Sequence, residues 1–353
     1  MQKDTNPIIS EDLDTILSAK LPWDFFRDKT VLVTGGGGFL AAYLIKSLLS
    51  ISRIHGLNIR VICLARSKAS VESRLAAQLG SPDFLFWQHD ISQPLPANLP
   101  LADFIIHAAS QASPKYYGVD PVGTLLANSV GTMHALEHAV KSQSERFLFF
   151  SSGEVYGIPA KPEKSLNEQD YGYLDPMNVR SCYAESKRLG ETMCVAWARQ
   201  HLLHTNVVRP FHTYGPGMAL NDGRVFADFV ADAVAGRDII VRSNGLAQRA
   251  FCYIADATIA FLAVLLQGEN AEAYNIGNPD TEISIADLAK KISTLFPEKK
   301  LNLIFQESEK STKYLKSPVT RSCPCIEKIK KLNWQPTTGL DDGFRRTILS
   351  FLV

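Results

Sequence analysis

The clearest absence in this sequence is an excess of charge of either sign. Among its 353 residues, 37 lysines and arginines stand against 36 aspartates and glutamates, which leaves a formal net charge of +1 at pH 7. A chain without a net field has no general attraction for nucleic acid or for an anionic membrane surface. We therefore expect neither as a partner.

Long apolar runs and clustered cysteines are also absent. The N-terminal stretch MQKDTNPIISEDLDTILSAK lacks the apolar core of a secretory signal. The apolar stretch IADATIAFLAVLLQ is too short to span a bilayer and contains Asp256. The 6 cysteines are scattered, and Cys323 and Cys325 have a spacing that fits neither a zinc knuckle nor a redox pair. These absences predict a cytoplasmic protein with reduced thiols.

One pattern typical of metal sites occurs in HALEH, where His134 and His138 would share one face of a helix. No third ligand stands out, and the segment has the pattern of a helix packed against a sheet. We therefore predict no metal site.

What the sequence does contain is a regular alternation of apolar strands and helices. TVLVTGG, IRVICLA, DFIIHAAS and RFLFFSS are typical of buried strands, and FLAAYLIKSLL and TLLANSVGTMHALEHAVK have helical spacing. This alternation predicts the α/β class, with a Rossmann-type doubly wound parallel sheet and a smaller C-terminal substrate-binding lobe. A short helix is expected from Ser10 to Ala19, with Ser10 as its cap.

Domain boundaries are predicted where the alternation loosens. Residues 1–28 are interpreted as an N-terminal appendage, and 29–208 as the Rossmann domain, with about 247–278 returning to it. The substrate-binding lobe would consist of 209–246 and 279–353. The stretch RPFHTYGPGMALNDGRV at the junction is rich in glycine and proline, which is typical of a functional loop.

The strongest single feature is the glycine-rich turn TGGGGFLAAYL, directly after the first strand. Gly35, Gly38 and Ala41 form a G-x-x-G-x-x-A variant of the dinucleotide fingerprint. Glycines there let the main chain approach a pyrophosphate, and the following helix offers it free N–H groups and the positive end of its dipole. The pattern predicts a dinucleotide cofactor; a tight turn without a ligand is the alternative.

The end of the second strand bears on which dinucleotide binds. An acid there would hold the adenosine ribose hydroxyls, whereas an arginine favours a 2′-phosphate. This chain reads CLARSK, with Arg66 and Lys68 and no acid. That favours NADP or loose discrimination between NAD and NADP, with a solvated basic loop as the alternative. Asp90 in QHDI is a candidate contact for the adenine end.

YAESK places a phenol and an ammonium, Tyr183 and Lys187, one turn apart on a helix. The lysine and a positively charged nicotinamide would lower the pKa of the tyrosine towards neutrality. Tyrosinate could then take a proton from an alcohol as hydride leaves its carbon. Ser152, at the end of RFLFFSS, could hydrogen bond the same hydroxyl. Alone, Y-x-x-x-K is a weak signal; its value lies in its place downstream of the glycine turn.

Together, the ordered motifs TGGGGFLAAYL, HAAS, SSGEVYG, YAESK and RPFHTYGPG resemble those of the extended short-chain dehydrogenase/reductase family. That family comprises nucleotide-sugar epimerases, dehydratases and decarboxylases, and the likeness covers about residues 29–350. It implies that Ser152, Tyr183 and Lys187 form the catalytic triad and that NAD, or alternatively NADP, is the cofactor. It also implies a homodimer, with the YAESK helix as a candidate contact.

The resemblance further implies two sets of binding residues. The cofactor would contact Gly35, Gly37, Gly38, Phe39, Leu40, Arg66, Asp90, Ile91, Ala108, Ala109, Asn128, Tyr183, Lys187 and Pro210, with His107 near it or supporting its site. The nucleotide sugar, UDP-linked by the same likeness, would contact Ser110, Glu154, His212, Arg224 and Arg249.

Within this family, RSCYAESKRLGE, NDGRVFADFV and QRAFCYIAD most resemble UDP-glucuronate decarboxylases. Such an enzyme oxidises C4 of the sugar, so that the C6 carboxylate becomes part of a β-keto acid and leaves as CO₂. By this likeness Arg249 binds the carboxylate and Arg224 lies near the diphosphate. Glu154, a catalytic candidate, orients water or carries a proton near C5; a structural acceptor for loop N–H groups is the alternative role.

Two departures from the pattern keep other functions open. Gly153 stands where dehydratases of the family tend to carry an acid, which counts against dehydration. His212 stands where decarboxylases have asparagine; it could donate to phosphate, signal another sugar or have no special role. An epimerase or 4,6-dehydratase of the same family is one alternative. A non-catalytic NAD(P)-binding protein is another, and the intact triad argues against it.

Overall fold

The computed structural model describes residues 5–306 and 317–353. Its strands, in chain order, are β1 (Thr30–Thr34), β2 (Arg60–Ala65), β3 (Phe84–Gln88), β4 (Phe104–His107), β5 (Arg146–Phe150), β6 (Thr205–Pro210), β7 (Thr213–Tyr214), β8 (Ile239–Val241), β9 (Gln248–Arg249), β10 (Cys252–Tyr253), β11 (Glu272–Ile276), β12 (Ile283–Ser284), β13 (Leu303–Phe305) and β14 (Arg321–Ser322).

The α-helices surround these strands. They are α1 (Pro7–Leu17), α2 (Phe39–His55), α3 (Lys68–Leu75), α4 (Pro114–Tyr117), α5 (Pro121–Asn128), α6 (Val130–Ser142), α7 (Ser181–His201), α8 (Val225–Ala235), α9 (Ile254–Gln267), α10 (Ile285–Thr294), α11 (Glu327–Lys330) and α12 (Leu340–Leu349). None of the helices in the described ranges has the length and apolar character needed to cross a membrane.

A sheet of seven parallel strands forms the centre, in the order β3-β2-β1-β4-β5-β6-β11. In β1, Val31 pairs with Val61 on one side and Phe104 on the other, and all three are buried. Strands covered by helices on both faces are apolar along their whole length rather than alternately. This explains the continuous apolar runs of the sequence, and the predicted Rossmann-type fold is confirmed.

The topology fixes where a ligand can bind. Strand order reverses between β1 and β4, and in such sheets ligands bind in the crevice outside the carboxyl ends of the strands at this reversal. The glycine turn follows β1, HAAS includes the end of β4, and SSGEVYG follows β5. The fold therefore brings three motifs that are far apart in sequence to one edge of the sheet.

Smaller sheets lie in the C-terminal part of the chain. β8 pairs with β13, β9 lies between β12 and β14, and β7 pairs with β10. Helices α8, α10 and α12 pack on one another beside them. β11 pairs with β6, so the chain re-enters the central sheet after β10. The division into a Rossmann domain and a lobe at about residue 208 stays a prediction.

The first helix differs from its predicted bounds. It runs from Pro7 to Leu17, and its cap is Asn6, whose side chain accepts hydrogen bonds from the N–H groups of Ile8 and Ile9 at 3.1 and 3.3 Å. Asparagine is as good a cap as serine, and proline is favoured at the first helical position. The sequence NPIIS therefore places the cap four residues before Ser10, the expected cap, and starts the helix at Pro7.

A buried carboxylate ties this helix to the rest of the protein. Asp12 is 2% exposed and accepts hydrogen bonds from the hydroxyls of Tyr43 and Tyr253 and from the guanidinium of Arg346. These partners lie on α2, at the end of β10 and on α12. The N-terminal segment is thus anchored by a polar network as well as by apolar packing.

The helix expected over TLLANSVGTMHALEHAVK is two helices. α5 ends at Asn128 and α6 begins at Val130, with Ser129 between them at φ −106° and ψ −73°. The Ser129 hydroxyl donates to the carbonyl oxygen of Leu125 at 2.6 Å. A serine whose hydroxyl donates to a carbonyl of the preceding turn often bends the helix. Ser129 is therefore the residue in the sequence that accounts for the break between α5 and α6.

Candidate active site

A cavity of about 880 Å³ opens at the carboxyl ends of the central strands. It brings together nearly all of the predicted site residues: Gly35, Gly37, Gly38, Phe39, Leu40, Arg66, Asp90, Ile91, Ala108, Ala109, Ser110, Ser152, Glu154, Tyr183, Lys187, Pro210, His212 and Arg224 all line its wall. Its size is that of a site for a cofactor and a small substrate. The individual roles of these residues stay predictions.

The glycine turn forms one end of this cavity. Gly35 has φ +71°, and a Cβ added there would lie 2.6 Å from Cα of Ala109, so that no other residue fits. The N–H of Gly38 donates to the carbonyl of Gly35 at 2.7 Å, and α2 begins immediately afterwards at Phe39. The bare main chain and the helix N-terminus provide the cradle that a pyrophosphate needs. The residues present therefore fit a dinucleotide.

A serine, a tyrosine and a lysine form the centre of the cavity. Tyr183 is 6% exposed, and its phenol hydrogen bonds with Ser152. The ammonium of Lys187 donates to the carbonyl oxygen of Phe150 at 2.6 Å and lies 5.8 Å from the centre of the Tyr183 ring. Tyr117, which no sequence motif singled out, stacks on Tyr183 with 5.1 Å between ring centres. The phenol is thereby fixed in position from two sides.

Burial shifts the acidities of both members of this pair. It raises the pKa of Tyr183 to about 12, although the hydrogen bond from Ser152 opposes the change. It also lowers the pKa of Lys187 to about 7, because the ammonium is enclosed by the protein. The expected lowering of the tyrosine pKa included the charge of a nicotinamide, and it stays a prediction for the protein with its cofactor bound. A buried site suppresses charge on both groups at once.

Glu154 is held in place by an arginine that the sequence reasoning missed. Its Oε2 accepts a hydrogen bond from Nη1 of Arg180 at 3.1 Å, and its N–H donates to the Ser152 hydroxyl at 3.2 Å. Arg180 lies directly before α7, one helical turn ahead of Tyr183. The motif RSCYAESK contained the signal, since positions three apart on a helical turn face the same way.

Gly153 has a packing reason to be glycine. A Cβ added at this position would lie 3.1 to 3.2 Å from ring atoms of Phe211, which is itself buried. The space in which a second acid would extend is filled by that ring. Because an acid at 153 would need the ring to move, the structure gives a steric account of why the pair reads Gly-Glu.

The opposite end of the cavity is cationic and contains a neutral imidazole. Arg224 donates from Nε to Oδ2 of Asp222 at 2.6 Å. The pKa of His212 lies well below its ordinary value, first because of burial and then because of the charges of Arg249 and Arg224. Among the described residues, Nδ1 of His212 is buried without a hydrogen-bond partner. This nitrogen is therefore suited to bind a polar group of a ligand.

Three predicted residues lie outside the cavity wall. His107 is buried between the hydroxyls of Thr34 and Thr132, at 2.7 and 3.1 Å from its two ring nitrogens. Asn128 is fully buried, and its amide donates to the hydroxyl of Ser186 at 3.0 Å. The guanidinium of Arg249 donates to the carbonyl oxygens of Val319 and Thr320 at 2.7 and 3.1 Å. The charge of Arg249 nevertheless acts on His212, whose pKa it helps to lower. A direct role for any of the three on a ligand stays a prediction.

The two histidines of HALEH bind main-chain carbonyls. His134 Nδ1 lies 3.0 Å from the carbonyl oxygen of Ile91, and His138 Nε2 lies 3.2 Å from that of Pro100. In the ranges that the structure describes, no three histidine, cysteine or acidic side chains are grouped as metal ligands would be.

Comparison with known proteins identifies the family. The model of the NAD dependent epimerase/dehydratase family matches residues 31–277. The chain therefore belongs to the NAD-dependent epimerase/dehydratase family of enzymes, and the predicted family and cofactor class are confirmed.

Among its relatives are two proteins named UDP-glucuronic acid decarboxylase. Decarboxylase 6 of Arabidopsis thaliana is 33% identical over 90% of this chain and 88% of its own length. Decarboxylase 1 of Xenopus tropicalis is 34% identical over 92% of this chain and 72% of its own length. The likeness thus extends well beyond the glycine turn and the Tyr-x-x-x-Lys motif.

Solved structures of the same fold agree. The UDP-glucose 4-epimerase of Thermotoga maritima superposes with a TM-score of 0.77 at 23% identity, over 92% of this chain and 98% of its own. The UDP-glucuronic acid 4-epimerase of Bacillus cereus gives 0.75 at 21% identity, over 92% of this chain and 99% of its own. At these identities the likeness establishes the fold.

Proposed function

We propose that this chain oxidises C4 of a nucleotide sugar and that its substrate is UDP-glucuronate, which it decarboxylates. The observation that carries the proposal is the placement of Ser152, Glu154, Tyr183 and Lys187 on one cavity with the glycine turn. The identity to the two decarboxylases over most of the chain supports the choice of substrate.

The first step is removal of hydrogen from C4. NAD, when bound, supplies the acceptor for the hydride. Tyr183 takes the hydroxyl proton, and Ser152 hydrogen bonds the same oxygen. The deprotonation needs a phenolate, whose pKa burial raises to about 12. The positive charge of a nicotinamide close to the ring lowers this pKa, because an adjacent cation favours the charged form of an acid.

The second step is loss of CO₂. A 4-keto group makes the C6 carboxylate a β-keto acid, whose C5–C6 bond breaks to give CO₂ and an enolate on C4 and C5. Glu154, fixed by Arg180, lies beside Ser152 and orients a water molecule that gives a proton to C5, and solvent replaces that proton. Tyr183 then gives its proton back to the C4 oxygen, and a bound dinucleotide would supply the hydride that restores C4. Neither step needs an acid at position 153, where any side chain would require the Phe211 ring to shift.

The substrate end uses the cationic wall of the cavity. Arg224, held by Asp222, is placed to bind diphosphate oxygens. The unpartnered Nδ1 of the neutral His212 is proposed to bind a polar group of the sugar nucleotide. The charge of Arg249, which acts on His212, favours an anion there.

Mass spectrometry of the products tests this proposal. The full chain is incubated with UDP-glucuronate and, separately, with UDP-glucose and dTDP-glucose. Loss of the mass of CO₂ from UDP-glucuronate supports decarboxylation. Loss of water from either glucose nucleotide would identify a dehydratase, and a product of unchanged mass with altered retention would identify an epimerase. No change in any substrate, with dinucleotide binding intact, would favour a non-catalytic protein.

We also propose that the protein is a cytoplasmic homodimer. α5 and α7 pack on each other, and Val122 on α5 and Leu189 and Val195 on α7 are exposed apolar residues. The family resemblance places such a helix pair at a subunit contact. Light scattering after chromatography tests the state: the wild type should run as a dimer, and Leu189→Glu combined with Val195→Glu should run as a monomer.

A further inference from the structure

The end of β2 and the start of α3 carry charges that the proposed reaction does not use. In dinucleotide-binding folds an acid near this point binds the ribose hydroxyls of NAD, and an arginine accommodates the 2′-phosphate of NADP. β2 ends at Ala65, followed by Arg66 and Ser67. The first acid after the strand is Glu72, which pairs with Lys68 at 3.5 Å. Neither Lys68 nor Glu72 lines the cavity.

Arg74 extends the cationic surface towards the glycine turn. Ser70 and Arg74 are four residues apart on α3 and face the turn together. A Cβ on Gly37 would lie 2.1 Å from Oγ of Ser70, and Nη1 of Arg74 donates to the carbonyl of Gly37 at 3.3 Å. Arg74 therefore lies against the loop that approaches the dinucleotide.

The guanidinium of Arg74 is incompletely satisfied. It lies in the wall between the large cavity and a smaller one of about 260 Å³. Within the described part of the chain, its Nε is buried without a hydrogen-bond partner. The side chain as a whole is half-buried, and burial lowers its pKa from the ordinary value. An anion bound nearby would stabilise a half-buried cation whose Nε lacks a partner.

Arg66 supplies a second cation on the same wall. Its Nη1 lies 3.9 Å from Oδ2 of Asp90, which is too far for a hydrogen bond. Oδ1 of that aspartate already accepts from the N–H and hydroxyl of Ser92, at 2.9 and 2.8 Å. The acids near Arg66 are thus Asp90 and Asp120. The charge of Arg66 helps to lower the pKa of both carboxyl groups. Neither forms a direct hydrogen bond with the guanidinium.

We propose that this end of the cavity is a binding site for the 2′-phosphate of an adenosine dinucleotide, with Arg66 and Arg74 as the residues that select NADP over NAD. The inference rests on the proposed function for the remainder of the dinucleotide site and deepens it. The hydroxyls of Ser67 and Ser70 line the same wall. The chain thereby departs from the NAD named in its family's description.

Titration calorimetry with adenosine 2′,5′-bisphosphate and with ADP tests the site without any sugar or turnover. The 2′-phosphate of the bisphosphate would accept charge-assisted hydrogen bonds that ADP cannot form. We therefore expect the whole chain to bind the bisphosphate at least about tenfold more tightly than ADP. Arg66→Ala and Arg74→Leu should each reduce this ratio towards one. Ala65→Asp should reverse the preference in favour of ADP. Lys68→Ala, a matched cation paired with Glu72 off the cavity, should leave the ratio unchanged.

Two results would overturn the proposal. One is wild-type protein that binds ADP as tightly as the bisphosphate. The other is an Arg74→Leu variant that weakens both ligands equally, which would mean that Arg74 only supports Gly37. If Arg74→Leu does not fold, the wild-type ratio and the Arg66→Ala and Ala65→Asp variants still decide. Selective binding with no change in any sugar nucleotide would leave this site standing and reject the proposed function alone.

Discussion

The ion pair between Arg180 and Glu154 offers a quantitative test of how the site works. The Nη1–Oε2 distance is 3.1 Å, and the two side chains are 13% and 33% exposed, so water screens the pair only in part. Hydrogen bonds to charged groups contribute about 1.5–3 kcal/mol, which corresponds to about 10- to 100-fold in a rate constant. We therefore expect Arg180→Gln to lower kcat for UDP-glucuronate by about 10- to 100-fold, with KM less affected.

A double-mutant cycle decides whether the arginine acts through the carboxylate. If it does, Arg180→Gln in the Glu154→Gln background should lower the rate by less than about threefold. The assay is single-turnover loss of CO₂ from UDP-glucuronate with enzyme in excess. Arg180→Lys should restore part of the rate, because lysine keeps the charge but not the planar fork.

A matched control, Arg188, lies on α7, the helix that Arg180 precedes. Arg188 donates to the carbonyls of Val155 and Gly172 and has no bond to Glu154. Arg188→Gln should therefore lower stability without showing coupling to Glu154→Gln. If Arg180→Gln lowers the rate of CO₂ loss by the same factor in the wild-type and in the Glu154→Gln background, the positioning role of Arg180 is refuted.

Three further predictions concern the cradle, the buried lysine and the N-terminal anchor. Gly35→Ala should abolish dinucleotide binding in calorimetry and lower the free energy of unfolding by about 2–5 kcal/mol. Gly56→Ala, at φ +61° with nothing within 4 Å of the new Cβ, should lower it by about 1–2 kcal/mol and keep binding. Because the folded pKa of Lys187 is lowered from 10.5 to about 7, the unfolded chain holds more protons between these values. The free energy of unfolding that this group contributes therefore rises with pH across that window. Denaturant titrations at neutral and mildly alkaline pH should show this rise in the wild type and not in Lys187→Met. An equal dependence of unfolding free energy on pH in the two proteins would contradict the prediction. Asp12→Ala should cost about 3–5 kcal/mol in the same assay, and the exposed neighbour substitution Glu11→Ala less than about 1 kcal/mol; equal losses would show that the buried network does not anchor α1.

The sequence was informative wherever one local pattern has one structural solution. Continuous apolar runs predicted β1, β2, β4 and β5 of the seven strands in the central sheet, since buried parallel strands need no alternation. The turn at Gly35 was predictable because a positive φ and a close approach of main chains admit only glycine. Motifs at the carboxyl ends of neighbouring strands meet at one edge, so the cavity followed from the topology.

The features of the fold and site that the sequence did not predict depend on contacts between distant segments or on competition between neighbouring residues for the same local role. Arg74 and Tyr117 look like ordinary helix residues in sequence, and only the packed fold places them against Gly37 and Tyr183. The start of α1 was misplaced because Asn6 and Ser10 are both good caps. The pKa values of Tyr183 and Lys187 in the protein alone could not be predicted from the motif, because the spacing Y-x-x-x-K does not report how deeply the two groups are buried.

The most direct measurement is stopped-flow detection of reduced nicotinamide after the dinucleotide-loaded protein is mixed with UDP-glucuronate. Wild type should form it transiently before CO₂ is lost. Tyr183→Phe should bind both ligands and form it at least about 100-fold more slowly, since general base catalysis contributes at least this factor. Reduction by Tyr183→Phe at the wild-type rate would contradict the account, because the alcohol would then be losing its proton to some other group.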